Sequence, residues 1–111
     1  PPAPDQDLVI HECAHKLDTL NGPADGFPPL HTGMDAAQWT RDFTSAFEAL
    51  NRALEAGAEP RLDPYAAEHP AEFFAVASET FFTEPALLRE DFPAVYRQLS
   101  LFYRQEPIAT P

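Results

Sequence analysis

The sequence predicts a mainly α-helical domain, on three observations. Apolar residues recur at intervals of three and four along most of it, prolines and capping residues mark where those runs begin, and no stretch alternates apolar and polar residues as a strand would. Nine Phe, three Tyr and one Trp in 111 residues supply enough apolar bulk for one core, so residues 1–111 are read as a single domain. Thirteen Pro against four Gly imply fixed turns between short helices.

The first element runs from about Asp7 to Leu20. Val9, Cys13, Leu17 and Leu20 recur there at helical spacing, and this apolar face is expected to pack inward while His11, His15 and Asp18 border a cleft. The Gly- and Pro-rich stretch 21–33 is loop. Asp35 then caps a second helix whose Trp39, Phe43, Phe47, Leu50 and Leu54 form a core stripe, ended by Gly57. Residues 59–69 are irregular, and Pro70 fits the first turn of a third helix reaching about Thr83. On that helix Phe73, Phe74, Ala77 and Phe81 share one broad face, with Glu72 and Glu79 nearly in register on the other. A further helical region follows Pro85 and breaks at Pro93, with Val95, Leu99 and Phe102 as its inner stripe.

Eighteen acids against seven bases give a net charge of −11, which disfavours nucleic acid and anionic lipid as partners. No apolar run approaches the ~20 residues of a membrane span, and the first residues lack the regions of a signal peptide. Cys13 is the only cysteine, so an internal disulfide is excluded and a reducing, cytoplasmic setting is expected. Its side chain projects about 160° away from the neighbouring histidines on a helix, so a buried apolar thiol is expected rather than a ligand. The domain is either a whole small protein or the C-terminal part of a longer one.

His11-Glu12-Cys13-Ala14-His15 is an H-E-x-x-H box. On a helix, residues four apart stack one turn above each other, so His11 and His15 offer two imidazoles to one metal, with Glu12 beside them as general base for an activated water. A catalytic zinc usually takes three protein ligands. Asp18 and Asn21 stand where a metzincin needs Gly and His, which excludes that arrangement. A helical glutamate is preferred to His31, Asp63 or His69, which fall in loops or at a helix start. Glu72 and Glu79 lie on one stripe about 10 Å apart, and composition does not choose between them. Asp18 and Glu79 are also candidates to orient the histidines from behind. Tyr65 reads on spacing alone as an ordinary tyrosine beside a proline turn.

Four strings are more specific than the box. His11-Glu12-Cys13-Ala14-His15-Lys16-Leu17-Asp18, Asp63-Pro64-Tyr65-Ala66-Ala67, Ala71-Glu72-Phe73-Phe74-Ala75-Val76-Ala77-Ser78-Glu79 and Leu101-Phe102-Tyr103-Arg104-Gln105 together resemble the peptidase part of the Mlc titration factor A family, over Leu8 to Pro107. That family is similar in its catalytic domain to anthrax lethal factor, which shares the Ala-Glu-Phe-Phe-Ala string and a tyrosine seven residues before the glutamate. The resemblance implies the helical subdomain of a zincin-like metallopeptidase, with Glu72 as third zinc ligand and Tyr65 as catalytic tyrosine. It also implies strands upstream that are not part of this sequence, and Cys13 departs from the family's bulky aromatic.

The function expected is hydrolysis of peptide bonds by a zinc peptidase, with aminopeptidase and endopeptidase action both open. The same ligands also accept cobalt, nickel or manganese. The alternative is a binding module that sequesters a transcriptional repressor such as Mlc, through apolar groups of the 21–34 loop or near the C-terminus. A third reading is a remnant that binds zinc without a substrate cleft.

Overall fold

A computed structural model describes residues 4–107, and these form five α-helices and two short 3-10 turns with no strand among them. Helix α1 spans Pro4–Asp18 and runs into a 3-10 turn, Thr19–Asn21. Helix α2 is Ala36–Glu55, α3 Pro70–Thr83, α4 Pro85–Asp91 and α5 Pro93–Tyr103, with the second 3-10 turn, Pro64–Ala67, ahead of α3.

Local chemistry accounts for the boundaries. The Asp35 carboxylate accepts the Gln38 N–H at 3.1 Å and satisfies one of the unpaired donors at the start of α2. The chain leaves that helix through Gly57 at φ 83°, a conformation that costs glycine little. His69 caps α3, its Nδ1 accepting the Ala71 N–H at 3.0 Å, and Pro70 occupies the first turn where its missing N–H is not needed. Pro85 and Pro93 begin α4 and α5 in the same way, which explains why one helical region is cut in two.

Helix α3 is the centre of the molecule. Ala71, Phe73 to Ser78 and Phe81 are all buried, a helix covered on nearly every side. Trp39, Phe43 and Leu50 of α2, Leu88 of α4 and Val95, Leu99 and Phe102 of α5 close the core around it. Trp39 stacks on Phe43 at 4.2 Å between ring centroids and meets Phe102 at 5.6 Å. The stripes expected on α2, α3 and α5 face this core, with Phe47 and Leu54 at its edge.

On α1 the expectation fails. Val9 and Leu20 are 60% and 69% exposed and Cys13 is exposed, whereas Ala14 is buried and Asp18 fully so. The helix turns its histidine side toward α3, and only Leu17 of the predicted stripe packs partly against the core. The reason is that α1 carries apolar residues on both sides, so periodicity does not choose a face. Ala14, small enough for close approach, meets α3 beside the histidines. Cys13 is therefore a surface thiol and not a buried one.

Tyr103 closes the open side of α3, its hydroxyl donating to Ser78 Oγ at 2.9 Å. Burial pushes its phenol up from the ordinary 10.0 to about 12. The neutral phenol is thus favoured by folding, and its stabilisation is present below pH 10 and lost as pH rises through about 12. An alkaline loss on the order of 2 kcal/mol is expected from this group, and Tyr103→Phe should flatten that part of the stability-versus-pH curve measured by urea unfolding. No described helix is long and apolar enough to cross a membrane.

Candidate metal centre

Helix α1 presents His11 and His15 on successive turns, their ring centroids 4.8 Å apart and their planes at 74°. Across from them α3 presents Glu72 in its first turn and Glu79 two turns later. Glu72 Oε1 lies 3.1 Å from Nε2 of His11 and 3.1 Å from Nε2 of His15. Glu79 Oε1 lies 3.1 Å from the other nitrogen of His11, Nδ1. The two glutamates that composition could not separate thus bracket one imidazole, each at a different nitrogen.

Proton counting tests whether these groups suit a cation. A neutral imidazole carries one N–H, yet both nitrogens of His11 face a carboxylate oxygen. A neutral ring donates to only one of them, whereas an imidazolium would donate to both. With a neutral ring, a cation among the Nε2 atoms of His11 and His15 and the Glu72 carboxylate, donors that all lie within 4.8 Å of one another, would satisfy the second nitrogen. His11 Nδ1 then keeps its proton for Glu79, the usual arrangement behind a metal-bound histidine. Donors on a tetrahedral ion with bonds of ~2.0–2.2 Å are ~3.3–3.6 Å apart, so the two 3.1 Å contacts to Glu72 would open by a few tenths of an ångström, while the two Nε2 atoms, within 4.8 Å of each other, would be drawn together on the ion. The residues fit.

Glu12, next to His11 on α1, is exposed. Tyr65 sits on the 3-10 turn that Asp63 caps by accepting the Tyr65 N–H at 3.0 Å, while buried Ala66 anchors that turn to the core. The Tyr65 ring is 6.4 Å from the His11 ring and 52% exposed, beside the cluster and open to solvent.

Asp18 is placed elsewhere. Expected beside a histidine, it accepts instead from the backbone N–H groups of Gly26 at 2.7 Å and Phe27 at 3.0 Å. Burial raises its carboxyl above the ordinary 3.8, against the lowering effect of the Gly26 and Phe27 donors. Such a contact closes a loop eight residues on, and no periodicity in the sequence announces it. His31 and His69 are outside the cluster, the first donating from Nε2 to the Phe102 carbonyl at 2.6 Å, the second capping α3. A separate apolar cleft of about 210 Å³, walled by Phe27, Trp39, Phe43, Phe47, Pro70 and Phe73, shares no residue with the cluster.

Comparison with known proteins points the same way. The sequence model of a family described as glucose-regulated metallo-peptidase M90 matches residues 2–104. Mlc titration factor A of Serratia proteamaculans (strain 568) is 47% identical over 105 residues, covering 92% of this chain and 40% of that protein. The proteins of the same name from Yersinia pestis (strain Pestoides F) and Yersinia pseudotuberculosis serotype O:1b are 48% identical over 105 residues, 92% of this chain and 38% of theirs. The chain spans about two fifths of the length of these curated relatives.

Proposed function

Because the chain belongs to the glucose-regulated metallo-peptidase M90 family, we propose that it carries the zinc site of a peptidase, with His11, His15 and Glu72 as ligands and Glu12 as general base. The observation that carries this reading is the convergence of two Nε2 atoms from successive turns of α1 on one carboxylate oxygen of α3, each at 3.1 Å.

A zinc ion held by His11, His15 and Glu72 would supply a Lewis acid for the scissile carbonyl and lower the pKa of a water toward ~7. Glu12, exposed beside His11, is placed to act as general base, and would hold the proton taken from an attacking water and return it to the leaving nitrogen. The Tyr65 hydroxyl, on a turn that Asp63 and Ala66 hold, donates to the oxyanion as it develops. Glu79 fixes the ring orientation of His11 by accepting from Nδ1. Asp18 works at the loop backbone and contacts no ligand directly.

The test is anomalous scattering on either side of the zinc absorption edge, from crystals grown without added metal. A zinc-specific peak among His11, His15 and Glu72 is expected. Its absence from protein shown to be fully loaded with zinc would overturn the ligand set.

A second reading is capture of a transcriptional repressor such as Mlc, favoured by the relatives' name and by exposed apolar side chains. Leu101 near the C-terminus is 57% exposed, as expected for such a contact, while Phe27, Leu30 and Met34 of the loop pack partly against the core. Leu8 and Val9 add an apolar outer side on α1, and Leu20 is exposed on the 3-10 turn that follows it. If capture is the main role, a variant without Glu12 retains the biological effect.

A further inference from the structure

The two ligand-bearing helices are joined at a second point, within one turn of the cluster on each. Asp18 ends α1 three residues after His15, and both its carboxylate oxygens are used on the backbone of Gly26 and Phe27. Gly26 presses on Pro70, the first residue of α3 and two before Glu72. Its φ is +81°, and a Cβ built on it would lie 2.6 Å from the Pro70 carbonyl oxygen and 2.9 Å from the carbonyl carbon. From a third side, Trp39 Nε1 of α2 donates to the Gly26 carbonyl at 3.3 Å. One glycine backbone is thus held by the end of α1, the indole of α2 and the start of α3.

A buried carboxylate is a costly way to close a loop, since desolvation opposes it. What it provides is direction, through two charge-assisted bonds from adjacent N–H groups. We propose that the Asp18–Gly26–Pro70 clip sets the spacing of α1 against α3, and with it the affinity and coordination geometry of the His11, His15 and Glu72 site. Asp18 is then a positioning residue that acts through the loop, not through a histidine. A metal site needs its donors held to within about 0.5 Å, so a shift of Pro70 large enough to admit a methyl group is felt at Glu72. The inference rests on the metal reading above.

The test compares the unmodified protein with Gly26→Ala, Asp18→Asn and Leu88→Ala. Zinc affinity is measured by competition with a chromophoric chelator, coordination geometry by the absorption spectrum of the cobalt(II) form, and Tm without metal. Asp18→Asn keeps the shape and one acceptor oxygen, so it remains informative if Gly26→Ala does not fold. Leu88, fully buried in α4, is the control for general destabilisation. Both clip variants are expected to lose roughly tenfold or more in zinc affinity and to change the cobalt spectrum. Leu88→Ala is expected to lower Tm and leave both unchanged. Clip variants with the affinity and spectrum of the unmodified protein, or an equal loss in Leu88→Ala, would overturn the proposal. Failure of the unmodified protein to bind zinc at all would sink the metal reading itself, and the clip proposal with it.

Discussion

Glu12→Gln is expected to keep zinc bound and to slow peptide hydrolysis about 10²–10⁴-fold, whereas Glu72→Gln is expected to lose the metal and with it all turnover. The contrast follows from where the two carboxylates sit. Glu12 is exposed beside His11, outside the three donors, so an amide of the same shape leaves fold and ligands intact but cannot accept a proton at neutral pH. Glu72 faces both Nε2 atoms at 3.1 Å, and the substitution removes the single negative charge among three donors. Metal content and turnover measured on the same preparations separate the roles. Full activity in Glu12→Gln would remove it as the base, and stoichiometric zinc in Glu72→Gln would remove it as a ligand.

The second large effect is on stability. Trp39→Ala is expected to cost about 3–5 kcal/mol, a large share of the roughly 5–15 kcal/mol that holds a domain folded. Trp39 is fully buried, stacks on Phe43, touches Phe74 and Phe102, and donates to the Gly26 carbonyl. Alanine opens a cavity among three aromatic rings and leaves a buried carbonyl without its donor. Trp39→Phe should cost less, because most ring contact survives while the carbonyl still loses its partner. Urea unfolding measures both, and a loss below about 1 kcal/mol for alanine would mean that the site collapses far more readily than a close-packed core allows.

Much of this architecture was legible because its signals are local. Asp35, Gly57, Pro70, Pro85 and Pro93 each mark a helix end through their own backbone chemistry, and the structure puts ends there. His11 and His15 were legible as a pair because four residues make about one helical turn. What was not legible depends on contacts between segments. Val9, Cys13 and Leu20 read as an inner face, yet α1 buries its polar side because the histidines lie against a glutamate of α3. Glu72 and Glu79 were equivalent by composition, and only the position of His11 between them gives each its own nitrogen. The pairing of Asp18 with Gly26 joins a helix end to a loop, where no repeat exists to reveal it.

The burial of α3 on nearly all sides bears on how the protein opens. Amide hydrogens of a helix enclosed by Trp39, Phe43, Leu88, Leu99 and Phe102 are expected to exchange with solvent only in near-global unfolding, while α1 packs on it from one side and leaves Leu8 and Val9 exposed on the other. If the proposed site holds its metal, the ion would tie α1 to the enclosed α3 beyond the packing the two already share, and the metal-loaded protein is expected to show slower amide exchange in α1 than the metal-free protein.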